Sequence, residues 1–172
     1  MKNAKFHIYT GNGKGKTTSV VGMAIRASGH KKKVFLVQFL KHQKTGEQII
    51  LNKIENITYK KFGSKDFIIN NKITNKHKEE VNKAIEYINK IIQTKKVDLL
   101  ILDEINIIIY YNLLSISKAK QIIRTCKLKN IELVFTGRYA KKQLINYADL
   151  VTEMKEVKHY FLDTQARKGI EY

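Results

Sequence analysis

Two stretches of this chain are apolar almost throughout: Lys33-Val34-Phe35-Leu36-Val37-Gln38-Phe39 and Val97-Asp98-Leu99-Leu100-Ile101-Leu102-Asp103. A strand that wets one face alternates apolar and polar residues. One that does not alternate must be covered on both faces, the condition of a parallel sheet between helices. The remaining sequence supplies the covers. Lys16 to Ser28 carries Val20, Val21, Met23, Ala24 and Ala27 as an apolar stripe and closes at Gly29-His30. Asn75 to Thr94 places Val81, Ala84, Ile85, Ile88, Ile91 and Ile92 on one side. Shorter helical patterns run over Gly46 to Ile54, Ser117 to Leu128 and Lys141 to Tyr147. Further strands are expected at Lys5–Thr10, Ile57–Phe62, Glu132–Thr136 and Asp149–Met154, with Gly63 to Thr74 a polar loop. Strands alternating with helices predict an α/β fold, a mostly parallel twisted sheet with helices on both faces.

No linker, repeat or low-complexity block interrupts the alternation, and 172 residues suit one unit, so residues 1–172 are read as a single domain. The formal net charge of +18 points at first to nucleic acid. The kind of cation argues otherwise. Of 33 Lys and Arg, only Arg26, Arg124, Arg138 and Arg167 are Arg, whereas guanidinium leads in gripping phosphate and reading bases. Proline is absent, where about eight would be average at this length. A Pro-free chain rich in Lys, Ile and Asn reads as compositional drift, its lysines a solvated surface, and no nucleic-acid partner is expected. The single cysteine, Cys126, excludes a disulfide framework and a cysteine-rich zinc module and fits a reducing compartment. No apolar run approaches the roughly 18 to 20 residues of a bilayer span, so no membrane partner is expected. Strand-like sequence from Lys5 leaves no room for a secretory leader. The expected location is cytoplasmic.

The strongest chemical signal is Thr10-Gly11-Asn12-Gly13-Lys14-Gly15-Lys16-Thr17-Thr18, between the first strand and the first helix. It matches the phosphate-loop pattern G-x-x-x-x-G-K-[ST] at Gly15, Lys16 and Thr17, with Thr10 in the first glycine position. Glycines let successive N–H groups point at one anion, and the following helix adds the positive end of its dipole. Lys16 is a point charge for phosphate and the Thr17 hydroxyl a ligand for Mg²⁺. A dinucleotide fingerprint fits poorly, because the spacing is G-x-G-x-G and the GKT ending has no role there. The second signal is Asp103-Glu104 at the end of an apolar strand, where acids reach the carboxyl edge of the sheet and a metal-bound nucleotide. Third is Thr136-Gly137-Arg138 after another buried strand, with Arg138 placed to clamp a phosphate or steady a leaving group.

With these go Val37-Gln38-Phe39-Leu40-Lys41, Leu102-Asp103-Glu104-Ile105-Asn106, Ala148-Asp149-Leu150-Val151-Thr152-Glu153-Met154, Val157-Lys158-His159 and Lys168-Gly169-Ile170-Glu171-Tyr172. Taken in order, from Tyr9 to Tyr172, they resemble the P-loop corrinoid adenosyltransferases. The resemblance implies a RecA-like P-loop NTPase fold, usually a homodimer, that binds ATP with Mg²⁺ and a reduced corrinoid, cob(I)alamin or cob(I)yrinic acid a,c-diamide. It implies that Co(I) attacks the 5′ carbon of ATP and expels inorganic triphosphate, with ATP held along the loop in the sense opposite to phosphoryl-transferring relatives. Carried over by motif, Gly11, Asn12, Gly13, Lys14, Gly15, Lys16, Thr17 and Thr18 bind ATP, with Gln38, Arg138 and Glu153 along the nucleotide. Lys16 and Glu104 are then catalytic, and Thr17, Asp103 and Glu104 hold Mg²⁺. A reduced flavoprotein is the implied electron donor.

Some members of that family place a Phe-Thr-Trp segment against the lower corrin face. This chain has no tryptophan, and its corresponding stretch is Lys61-Phe62-Gly63-Ser64-Lys65-Asp66-Phe67-Ile68-Ile69. Phe67 is the candidate corrinoid-binding aromatic and Phe62 the spare. His7, His30, His42, His77 and His159 share no ligand spacing. The rival reading from another class is a RecA-like nucleic-acid-dependent ATPase, and a third is a small-molecule kinase with Gly63 to Thr74 as its lid.

Overall fold

The computed structural model describes residues 4–41, 43–64, 68, 72–160 and 163–172. Among the described residues twelve elements follow one another: β1 (Phe6–Thr10), α1 (Lys16–Gly29), β2 (Val34–Phe39), α2 (Gly46–Leu51), β3 (Ile57–Phe62), α3 (Asn75–Thr94), β4 (Leu99–Asp103), α4 (Ile105–Tyr110), α5 (Ile116–Leu128), β5 (Glu132–Thr136), α6 (Lys142–Ile145) and β6 (Leu150–Glu153). The strands form one six-stranded sheet in the order β3-β2-β4-β5-β1-β6. Every neighbouring pair in it is parallel, so the expected mostly parallel sheet is parallel throughout.

The near-continuous apolar strands are explained by two separate cores. Val34 and Leu36 of β2, Leu99 and Ile101 of β4 and Val134 of β5 pack with Val20 and Ala24 of α1 and Leu51 of α2. The alternate residues, Val37, Phe39, Leu100, Leu102, Leu133 and Phe135, turn the other way. They meet Val81, Ala84 and Ile88 of α3, Ile105 and Ile108 of α4 and Ile122 and Ile123 of α5. Both faces are thus dry, as the lack of alternation requires. Cys126 lies inside this second core, where burial pushes its thiol up to about 12 and leaves it a packing residue.

Helix α4 is absent from the periodicity reading above. Ile105-Asn106-Ile107-Ile108-Ile109-Tyr110 is a β-branched run directly after a strand, the composition least suggestive of a helix. The backbone decides otherwise. Glu104 adopts a left-handed conformation (φ 66°) that turns the chain out of β4, and Ile105, Ile108 and Ile109 then bury on one helical face. His77 also finds a structural place: it is buried at the head of α3, where its Nδ1 accepts the Thr74 N–H at 3.1 Å in a capping box. Among the described residues no helix is long and apolar enough to cross a membrane.

Candidate functional site

The carboxyl ends of β1, β2, β4 and β5 open onto one cavity of about 620 Å³. Its floor is the loop from Gly11 to Gly15. Gly11 (φ 96°) and Gly15 (φ 113°) hold conformations that side chains resist, and the loop is pressed against the chain leaving β6. Gly13 N–H donates to the Met154 carbonyl at 2.7 Å. A Cβ at Gly11 would stand 2.4 Å from that oxygen, and one at Gly13 would stand 2.7 Å away. Glycine is therefore enforced here by a segment distant in sequence. Thr10, where the general pattern has glycine, accepts the Ala140 N–H on its hydroxyl at 3.4 Å and ties the loop to the turn after β5.

Lys16 opens α1 and is 8% exposed. Its ammonium donates to the carbonyls of Gly11 (2.8 Å) and Gly13 (2.6 Å), which holds the charge at the centre of the loop. Burial lowers its pKa below the ordinary lysine value. Gly15 caps α1 without a side chain, so the helix start keeps its N–H groups free of an internal side-chain acceptor.

Beside the loop runs a row of polar side chains set by strand register. Gln38 lies opposite Asp103, and Leu102 opposite Phe135, which brings Thr136 next to Asp103. Asp103 is fully buried. It accepts from Gln38 Nε2 at 2.8 Å, Thr136 Oγ1 at 2.5 Å and Thr17 Oγ1 at 3.1 Å, with Lys41 Nζ 4.0 Å away. The Tyr59 hydroxyl donates to Gln38 Oε1 in turn and extends the row to β3. Thr136 Oγ1 also accepts the Glu104 N–H at 2.9 Å, which fixes the left-handed turn. Glu104 itself is different. Its Oε2 is sealed from solvent and has no hydrogen-bond partner among the described residues. Burial first, then the neighbouring Asp103 charge, push its carboxyl up to about 7, against the pull of Lys41, Lys16 and Arg138. Gly137 (φ 122°) makes room for it, since a Cβ there would lie 3.1 Å from that oxygen.

The expected residues are not all brought together. Asn12, Gly13, Lys14, Gly15, Lys16, Thr17, Thr18, Glu104 and Arg138 line the cavity. Gln38 does not: it is wholly buried and acts on Asp103. Glu153 is exposed on the edge strand β6, in register with Thr10, and is outside the lining. Phe62 is half-buried against Tyr87, ring centroids 5.7 Å apart, and also outside it. Phe67 and His42 lie outside the described residues. Lys14 points to the chain's last turn, where its ammonium meets Glu171 at 2.5 Å and the Tyr160 hydroxyl at 2.8 Å. That carboxylate raises the Lys14 pKa. His159 and Gly169 to Tyr172 complete the cavity wall. Sequence reading quotes this tail without a role and names Thr136 only as part of the Arg138 motif, and Tyr59 goes unnoticed, because nothing in their own neighbourhoods shows that they face Asp103 and Gln38.

Comparison with known proteins agrees with this geometry. Residues 2–172 match the family model described as ATP:corrinoid adenosyltransferase BtuR/CobO/CobP. The corrinoid adenosyltransferase of Pseudomonas aeruginosa is 33% identical over 96% of this chain and 82% of its own length. Its namesake in Escherichia coli is 29% identical over 96% of this chain and 84% of its own. Among solved structures, the cytoplasmic domain of EssC superposes with a TM-score of 0.55 at 12% identity, over 97% of this chain and 36% of that one. That likeness shows the fold alone. The loop, the acid-ended strand and the match along nearly the whole chain make this protein a member of the ATP:corrinoid adenosyltransferase family.

Proposed function

We propose that the cavity holds ATP with its triphosphate on the Gly11–Thr18 loop, and that the protein passes the 5′-deoxyadenosyl group to Co(I) of a reduced corrinoid and releases inorganic triphosphate. The observation that carries this reading is the convergence of Lys14, Lys16, Lys41 and Arg138 on one cavity whose floor is the glycine loop. The Co(I) electron pair forms the bond to the 5′ carbon while the carbon–oxygen bond breaks towards the triphosphate. No proton moves in that step. The site accordingly needs no general base, and the Asp103 carboxylate is instead held by three side-chain donors. What the step does need is stabilisation of charge growing on the leaving triphosphate. Lys16, Arg138 and the loop N–H groups supply it in a partly dry site.

A magnesium ion suits the oxygen donors present. Thr17 Oγ1, Asp103 and Glu104 offer hard ligands only, and the unpartnered Glu104 Oε2 is the donor left over for it. These three would hold the ion, which adds charge neutralisation on the triphosphate oxygens. Residues 1–172 acting as one domain, pairing as a homodimer, a cytoplasmic location and a reduced flavoprotein donor complete the reading. Incubation without oxygen of protein, ATP, Mg²⁺ and chemically reduced corrinoid should yield a light-sensitive alkylcobalt spectrum and triphosphate in equal amounts. ADP as the phosphate product, with or without added DNA or RNA, would sink it in favour of the ATPase or kinase reading.

A further inference from the structure

A glutamine sealed inside an apolar strand needs a reason. Gln38 is wholly buried between Val37 and Phe39 of β2, and an amide taken out of water costs free energy unless its polar atoms find partners. At one end, Gln38 Nε2 donates to Asp103 at 2.8 Å. At the other, Gln38 Oε1 accepts the hydroxyl of Tyr59 from the neighbouring strand β3. Tyr59 is in register with Leu36, two positions before Gln38 and on the same face, so its long side chain reaches the amide diagonally. The Gln48 side chain of α2 hydrogen-bonds the same hydroxyl. Burial, then the charges of Glu47 and Asp103, push the Tyr59 phenol up, so it keeps its proton and stays a donor.

Two features mark this hydroxyl as more than a detail of packing. The Tyr59 ring lies against the core formed with α1 and α2, a place that phenylalanine would fill equally well. The oxygen adds no apolar contact there, and two amides compensate its burial. It also decides an orientation. The two ends of a glutamine amide have nearly the same shape, and a reversed Gln38 would turn Oε1 onto the Asp103 carboxylate. A donor fixed at Tyr59 permits only the orientation that gives Asp103 an N–H. Asp103 stands beside Thr17 at the phosphate loop, while Gly46 and Glu47, the residues before Gln48, line the cavity. The hydroxyl thus joins the buried acid to the cavity wall.

We propose that Tyr59 is a positioning residue: through Gln38 it holds the Asp103 carboxylate in the orientation that receives ATP with Mg²⁺. This inference rests on the reading that the cavity binds that pair. Tyr59→Phe keeps the ring and removes the link. Calorimetric titration with ATP should show binding weakened about tenfold with Mg²⁺ present, near the value of one buried hydrogen bond, and by less than about twofold in EDTA. The KM for ATP should rise with it, and the KM for corrinoid should not. Gln38→Leu should show the same loss confined to Mg²⁺, and adding Tyr59→Phe to it should cost less than about twofold more, because the link is already cut. Unchanged affinity for ATP with Mg²⁺ in Tyr59→Phe, an equal loss in EDTA, or an undiminished second loss in the Gln38→Leu background would overturn the positioning role while ATP binding by the unaltered protein stood. Should Tyr59→Phe not fold, a Gln38→Leu protein without the loss confined to Mg²⁺ overturns the link in its place. An unaltered protein that binds ATP with Mg²⁺ but transfers no adenosyl group would overturn the proposed function and leave the positioning role. Failure of the unaltered protein to bind ATP with Mg²⁺ would overturn both.

Discussion

The two edges of the sheet solve the same problem in opposite ways. Where the strands begin, acids knit neighbouring strands together. Asp98 accepts the Lys33 N–H at 2.8 Å and pairs with Lys32, Asp149 accepts the Phe6 N–H at 2.8 Å and pairs with Lys127, and Glu132 accepts the Lys5 N–H at 2.9 Å and meets His7 at 2.7 Å. Backbone donors and lysines hold Asp98 and Asp149 below the ordinary carboxylate value. Where the strands end, burial pushes Glu104 up and Lys16 down, each towards its neutral form. One edge uses charge to stabilise the fold. The other buries Glu104 and Lys16 where their charged forms are disfavoured and leaves Glu104 Oε2 unpartnered among the described residues, which is the condition of groups waiting for a ligand.

Substitutions at the two edges should therefore separate activity from stability. The largest effect is expected for Lys16→Ala. Loss of the central cation should lower adenosyl transfer by about a thousandfold or more, followed by the alkylcobalt spectrum, with little change in the thermal midpoint. Near-normal turnover would show that the loop is not where the triphosphate sits.

Glu104→Gln should act on stability through pH. The folded carboxyl keeps its proton up to about 7, whereas the unfolded group loses it near 4.5. The folded state binds more protons between those values, so stability falls as pH rises across them, by an amount on the order of 1–3 kcal/mol. The glutamine variant lacks that fall. Measured with a chelator present, its thermal midpoint should gain on the unaltered protein from about pH 4.5 to 7. Parallel profiles would mean that the carboxyl is solvated.

Asp98→Ala, at the other edge, should cost about 1–2 kcal/mol at neutral pH by denaturant unfolding and leave turnover unchanged. Because the folded pKa of Asp98 lies below its ordinary 3.8, its contribution is complete above that value and fades as pH falls through the folded one. A loss of activity without a loss of stability there would erase the contrast between the edges.

Much of the site is legible in the sequence because its parts are local. Gly11 to Thr18 and Asp103-Glu104 each carry their meaning within a few residues, and the strand–loop–helix order places them at one edge of the sheet. The family resemblance implies Gln38 as a contact along the nucleotide. Strand register instead sets it against Asp103, with Tyr59 behind it. Glu153 shares its motif with Met154, yet it is the Met154 and Lys155 backbone that presses on the glycines of the loop. A backbone contact leaves no mark on side-chain identity, so a sequence pattern cannot show it.

The chain by itself determined the fold class, since strands without alternation can be buried only between two layers of helices, and it determined the family through a run of short motifs. Tertiary structure decided which of those residues meet. The left-handed turn at Glu104 converts a β-branched run into α4, strand register builds the row from Tyr59 to Thr136, and the last turn folds back onto Lys14. Each depends on residues far apart in sequence, whose contacts exist only once the sheet has set their positions.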